Sequence, residues 1–342
     1  MADGQRSMTV RSTTLRVDSG VTLPGEGALE VAVEIIAPDF PSPSGRRWPE
    51  GPDEAAPIAL VCLPGGAMTR RYFDLQAPGD DSFSFARQMA ARGFTCVLID
   101  PLGVGESSRP ADGYALSAEV LAQANARATD AALDKLRSGH AINGLEALPQ
   151  VKSVGVGHSM GAMLTIVQQA QFHRHAAIAV LGFSTRGLPE YLMGEAKALA
   201  ASDPHAARRE VARLAKAMFR EPYPSLGKSS DGSQLYAGLH ADPAGIQAIK
   251  AARERLLPVP AVLSMLPGNV APEASRIDVP VFVGLGELDM AGPPLEAPKA
   301  FTRSPAVTLH VMPQAGHSHF LFAARSGLFD ALALWARSVT AN

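Results

Sequence analysis

The sequence predicts an α/β fold: a mostly parallel, twisted sheet of eight strands with helices on both faces and a helical cap inserted after strand 6. Three observations carry this. Short apolar, β-branched runs recur at 8–17, 29–36, 58–63, 94–99, 151–156, 176–181, 279–285 and 307–312. Helix-like segments at 81–92, 117–137 and 160–174 lie between the middle runs, and another at 319–340 follows the last. One long block, 183–277, breaks the alternation.

Runs 8–17 and 29–36 have no helix between them, so they start the sheet as an antiparallel pair. The segment "APDFPSPSGRRWPEGPDEAAP", 37–57, is rich in Pro, Gly and charge and reads as a surface loop. From 58 onward the runs are brief and apolar on both alternating positions, as strands buried on both faces require. Strand, helix, strand alternation then implies parallel pairing through right-handed crossovers. Block 183–277 is too long for a crossover. It contains two helix starts in which Asp is the N-cap and Pro the first helical residue: Asp203-Pro204 and Asp242-Pro243. The expected organisation is a core of 1–182 and 278–342 with a helical cap of 183–277.

Bulk composition narrows the function classes. With 342 residues the chain can bury a sizeable core. A net charge of −2 provides no footprint for nucleic acid or an anionic membrane. The two cysteines, Cys62 and Cys96, sit in strand-like runs and read as reduced core residues. No apolar run reaches the roughly 18 residues of a membrane span, and "MADGQRSMTV" has no stretch resembling a signal peptide, so a cytoplasmic location is expected. No His/Cys/Glu cluster has metal-ligand spacing, and the dinucleotide fingerprint is missing. The expectation is no metal and no cofactor. A homo-oligomer is left open.

The chemistry is concentrated in "VKSVGVGHSMGAMLTIVQQA", 151–170. Within it "GHSMG" fits G-x-S-x-G, with Gly157, Ser159 and Gly161. A plain Ser/Gly turn is the bland alternative. The strand before and the helix after favour a nucleophile on a tight strand-to-helix turn. There the hydroxyl stands above the sheet, and the helix N-terminus offers free N–H groups to developing negative charge.

On these residues the sequence resembles the α/β-hydrolase superfamily, from about residue 29 to the C-terminus, with 183–277 where that family carries its cap. The resemblance implies the chain order nucleophile, acid, histidine. The "AGH" step after run 307–312 points to His317 as base, with His319 as a rival that begins the final helix or borders the pocket. The "GELD" step after run 279–285 resembles the family's G-E-x-D and makes Asp289 the acid, with Glu287 as its alternative. In some members the acid follows an earlier strand, where this chain reads "GFSTRG" and has no carboxylate. The oxyanion hole is expected from the backbone N–H of Met160 and of Gly66, with Ala67 second. Family members usually have His-Gly at that loop; here it is Pro64-Gly65, a small departure because the donor is main chain. "DPLGVGESSRP" matches the family's D-x-x-G-x-G-x-S loop, in which Asp100 and Ser107 are read as structural.

The implied activity is a serine hydrolase cleaving an ester, thioester or lactone of a hydrophobic small molecule through an acyl-enzyme, a carboxylic ester hydrolase above all. The alternatives are a ligand-binding receptor on the same fold with vestigial catalysis, a carbon–carbon bond hydrolase, and a cofactor-free peroxidase-like side activity. Phe219, Tyr236 and Met265 in the cap are expected to line the substrate site, with Met218 and Tyr223 nearby; holding the cap helices together is the equal alternative for each. Arg208, Arg209, Arg213 and Lys216 read as one solvated helix face.

Overall fold

The first two strands, β1 (Val10–Asp18) and β2 (Glu30–Pro38), pair antiparallel, as their lack of an intervening helix requires. In β1 the side chains at alternate positions, Ser12, Thr14, Arg16 and Asp18, are exposed, while Leu15 and Val17 pack on the core. Such alternation is the mark of a sheet edge with one wet face. The central strands differ. In β3 (Ile58–Leu63), β4 (Thr95–Asp100), β6 (Ala177–Leu181) and β7 (Val281–Gly286) every residue is buried. With β5 (Lys152–His158) and the far-edge strand β8 (Val307–Met312) they complete one sheet in the order β1-β2-β4-β3-β5-β6-β7-β8. All pairs from β4–β3 to β7–β8 are parallel. The computed structural model describes residues 10–39, 56–225 and 238–341; most of loop 37–57 therefore lies outside the described residues.

Two apolar layers cover the sheet. On one side helices α2 (Ala118–Ser138) and α3 (Met160–Phe172) pack with Val61, Val97, Ile99 and Val283. On the other, α1 (Phe85–Ala91) and the C-terminal helix Arg325–Thr340 pack with Leu60, Cys62, Cys96 and Phe282. Both cysteines are free and buried, as expected. Ser117 starts α2 by accepting a hydrogen bond from Val120 N at 3.3 Å, and Gly139 ends it in the left-handed region.

Three predicted helices are shorter than the sequence suggests. Segment 81–92 splits into a 3-10 turn, Asp81–Phe83, and α1, because Ser84 is extended and caps a new start by accepting from Arg87 N at 3.0 Å. Segment 319–340 splits into a 3-10 turn, His319–Leu321, and the helix from Arg325. The cause is burial on every side: His319, Phe320, Leu321 and Phe322 are all inside, which one face of a surface helix cannot achieve. The stretch after Asp203 divides into α5 (Pro204–Arg209) and α6 (Val211–Met218) at Glu210.

Between β6 and β7 the chain also forms α4 (Gly194–Ser202) and the helices Pro243–Ile249, Pro258–Met265 and Ala271–Ala274. The two Asp-Pro starts are as expected: Asp203 accepts from Ala206 N and Asp242 from Ala244 N, each at 2.9 Å. The basic row is not one solvated face. Arg208 turns inward and donates to the buried Glu273 at 2.6 Å, whereas Arg213 stays exposed between Glu195 and Glu210. Helix Pro258–Met265 packs against both α3 and α6, which brings this helical block to the helix that begins at Met160.

Candidate active site

Ser159 sits where β5 ends and α3 begins, with φ 55° and ψ −122°. A non-glycine residue there is strained and persists only when its surroundings over-determine it. They do so here. Ser159 N donates to the β6 residue Leu181 at 2.7 Å, and the two flanking glycines allow chains to touch. A β-carbon on Gly161 would collide with the carbonyl oxygens of Leu63 and Pro64, and one on Gly157 with the backbone of Gly161 and Ala162.

Asp289 and His317 follow β7 and β8 respectively, so the parallel order of strands carries all three side chains to one end of the sheet. Ser159 Oγ lies 2.9 Å from His317 Nε2, and His317 Nδ1 lies 2.8 Å from Asp289 Oδ1. Asp289 Oδ1 also accepts from Ala291 N at 2.9 Å. Its second oxygen, Oδ2, is 2.9 Å from His319 Nε2. Burial alone would raise Asp289, but His317 and His319 outweigh it and hold the carboxyl well below the usual carboxylate range. Glu287 is exposed and accepts instead from Gln314 N at 2.9 Å, away from both histidines.

The loop after β3 approaches the start of α3. A β-carbon on Gly66 would stand 3.7 Å from Met160 Sδ, and one on Gly65 3.3 Å from Ser159 Cβ. Ala67 is held at φ 57°. The loop is tied to the helical block: Glu254 N donates to Ala67 O at 2.9 Å and Thr69 N to Ala252 O at 2.7 Å. Phe219 packs with Ala67, Leu256 and Ala261, beside the expected oxyanion loop. Met265 and Met218 pack on the same large cluster as Met160. Tyr236 lies outside the described residues. Tyr223 is a strap: its hydroxyl donates to Pro110 O at 2.7 Å, and burial pushes its phenol up to about 12.

Asp100 and Ser107 build the adjoining loop. Asp100 accepts from Arg70 N at 2.7 Å and from Glu106 N at 3.1 Å, and pairs with the Arg70 guanidinium. Ser107 Oγ donates to Asp100 O at 2.5 Å and accepts from Ala32 N at 2.8 Å.

Three residues around the site have no separate signal in the sequence. His158 is hidden as the variable position of "GHSMG". Tyr72 packs against it with tilted rings, centroids 4.5 Å apart. Leu256 lies over the loop, with Cδ1 3.1 Å from where a Gly66 β-carbon would be. Among the described residues no group of three or more His, Cys, Asp or Glu could hold a metal ion. No helix among them is long and apolar enough to cross a membrane.

The model of the "Alpha/beta hydrolase family" matches residues 60–326, most of the chain. The chain belongs to the α/β-hydrolase family. Solved structures extend the likeness of this α/β-hydrolase to nearly its full length. A thermophilic esterase from Thermogutta terrifontis superposes with a TM-score of 0.55 at 17% identity, covering 96% of this chain and 99% of the other. A bromoperoxidase from Bacillus anthracis gives 0.54 at 12%, covering 95% and 99%. A proline iminopeptidase from Mycobacterium smegmatis gives 0.56 at 19%, covering 96% and 99%. At these identities the likeness shows the hydrolase fold alone, and the three names span different reactions. No curated protein matches the sequence.

Proposed function

We propose that this α/β-hydrolase is a serine hydrolase that cleaves an ester, thioester or lactone of a hydrophobic small molecule through an acyl-enzyme. The observation that carries the reading is the continuous path from Ser159 Oγ to His317 Nε2 at 2.9 Å and from His317 Nδ1 to Asp289 Oδ1 at 2.8 Å. The path starts from a serine in a strained turn, the setting in which a hydroxyl is presented to a substrate.

In this mechanism His317 takes the Ser159 proton as Oγ attacks the carbonyl carbon. Asp289 accepts from Nδ1–H, fixes the tautomer and stabilises the imidazolium. The oxyanion forms against the backbone N–H of Met160 and of Gly66 or Ala67. The imidazolium then protonates the leaving oxygen or sulfur, leaving the acyl group on Ser159. A water molecule, deprotonated by His317, repeats the sequence and releases the acid. Residues 183–277 act as the cap, whose Phe219, Leu256 and Met265 provide apolar walls and exclude water.

The test is a fluorophosphonate probe with a panel of p-nitrophenyl esters. Labelling should occur at Ser159, and Ser159→Ala should abolish it together with turnover, a loss on the order of 10⁶ in kcat. Undiminished turnover by Ser159→Ala would overturn the reading.

A further inference from the structure

We propose that His319 is a positioning residue for the acid: its Nε2–H holds the second oxygen of Asp289 and so limits how tightly His317 grips its proton. The inference rests on the serine-hydrolase reading of Ser159, His317 and Asp289.

The geometry assigns the tautomer. Nε2 of His319 lies 2.9 Å from Asp289 Oδ2, and a carboxylate can only accept, so Nε2 carries the proton. Nδ1 of the same ring has no hydrogen-bond partner among the described residues, and the residue is fully buried. A proton on Nδ1 would be an orphaned N–H in an apolar setting, whereas a bare lone pair is the lesser cost. The ring is therefore a one-sided donor aimed at Asp289.

Asp289 is divided between two histidines. Oδ1 serves His317 Nδ1 and Ala291 N, and Oδ2 serves His319. The Asp289 side chain has no exposed surface, so no solvent takes over if one donor is lost. Without His319, Oδ2 would be a bare anionic oxygen in a buried site. The carboxylate's charge would then fall more fully on His317, and its plane would lose one of its fixed points. The first effect strengthens His317's hold on its proton, and the second loosens the geometry on which kcat depends.

The other titratable groups facing His319 do not replace this contact. His158, at the end of β5, meets it edge to face with ring centroids 5.5 Å apart, and His310 of β8 also feels it. Tyr72, from the turn after β3, borders its backbone. Of these neighbours and His317, Asp289 alone is a carboxylate.

The test compares His319→Gln, His319→Asn and His319→Leu by kcat/KM against pH, with fluorophosphonate labelling of each. Gln can place its NH₂ group where Nε2 stands; Asn reaches only to the Nδ1 position, and Leu has no donor. Asn and Leu should move the acid limb of the profile to higher pH by about 0.5–1 unit and lower kcat about tenfold with KM little changed. Gln should leave the limb where the wild type has it. If Leu fails to fold, the Gln–Asn pair still decides. An unmoved limb in Asn and Leu, or a limb that moves as far in Gln as in Asn, overturns the proposal while labelling of Ser159 stands. A wild type that the probe does not label overturns the serine-hydrolase reading itself.

Discussion

Nε2 of His158, the residue immediately before Ser159, lies 2.8 Å from the backbone carbonyl oxygen of His317. A carbonyl can only accept, so this ring also carries its proton on Nε2. Burial, and then the neighbouring His317 and His319, holds His158 well below the usual histidine range, so the ring stays neutral. It is packed against Tyr72 and His317, with ring centroids at 4.5 and 4.9 Å. The end of β5 and the loop after β8 are thus tied by one buried hydrogen bond next to the Ser159–His317 contact.

We expect His158→Phe to keep the packing but orphan the His317 carbonyl, a loss of about 1–3 kcal/mol in stability. Because the loop carrying His317 would lose its anchor, kcat should fall more than KM changes. His158→Gln, which retains a donor, should recover most of both. Urea unfolding and ester turnover on the two variants check this. Equal turnover in Phe, Gln and wild type would show that the bond does not hold the loop.

Asp289→Asn should lower kcat by several orders of magnitude, with about 10⁴ as the reference from another triad, while KM changes little. The amide can donate to Nδ1 and so favours the wrong tautomer of His317. Glu287→Gln should stay within a few-fold of wild type, since the Glu287 carboxylate accepts from Gln314 N and makes no bond to His317 or His319 among the described residues. A comparable loss in both variants would leave Asp289 without its special role.

Ser159, Asp289 and His317 are legible in the sequence because each follows a run that reads as a buried strand. In a parallel sheet, strand ends of one sense meet at one edge. The position of Met160, first in the helix after the turn, is legible for the same reason. What cannot be read is which side chains converge from loops. His319 looks like the start of a helix until the burial of Phe320, Leu321 and Phe322 forces the chain inward and delivers the ring to Asp289. Leu256 stands in "ERLLPVPAVL", where nothing marks it out from Leu257; only the fold lays it over Gly66. Arg208 reads as surface because its partner Glu273 lies 65 residues away.

Asp100 provides a prediction on stability. It is fully buried, its pair with Arg70 is buried too, and it also accepts two backbone N–H groups. Removing one member of a buried pair leaves an uncompensated charge, a loss of about 3–5 kcal/mol. We expect Asp100→Asn and Arg70→Met each to lower the unfolding free energy, read from urea curves, by an amount in that range. Glu106→Gln, whose side chain is half exposed, should change stability by less than about 1 kcal/mol. Near-wild-type midpoints for the first two would show that the network does not brace the loop.

His175 sets a pH dependence. Its ring is buried, with Nδ1 3.2 Å from Ser153 Oγ, and burial lowers its pKa to about 3. The unfolded chain binds this proton below about pH 6.5, while the folded chain refuses it until about pH 3. Stability from this group is therefore complete above the unfolded value and falls as pH drops across that window. The slope approaches about 1.4 kcal/mol per pH unit per proton. Urea unfolding at several values between about pH 4 and 6 should give a shallower slope for His175→Gln than for wild type. Parallel slopes would show that His175 does not contribute.

The proposed cap leads to a prediction on specificity. Leu256 lies directly over the loop expected to bind the oxyanion, with Cδ1 3.1 Å from where a Gly66 β-carbon would stand. Phe219 packs against Leu256 and Ala67, and its carbonyl oxygen accepts from the Tyr114 hydroxyl at 2.5 Å, which ties this wall to the core. An acyl chain on Ser159 must pass near these side chains if the oxyanion faces Met160 and Gly66. One methylene in such a pocket is worth about 1–3 kcal/mol, or roughly 10–200-fold in kcat/KM. We therefore expect wild type to prefer hydrophobic acyl groups larger than acetyl. Leu256→Ala should shift that preference toward longer or bulkier acyl groups by at least about tenfold in the kcat/KM ratio. Met265→Ala should shift it less, because Met265 packs on the main core cluster and its carbonyl is engaged by Leu188 N. Fluorophosphonate labelling of Ser159 should survive in both variants. The measurement is kcat/KM across a series of p-nitrophenyl esters of increasing acyl length. A flat wild-type series, or a Leu256→Ala profile that falls uniformly without changing shape, would show that this wall does not select the substrate.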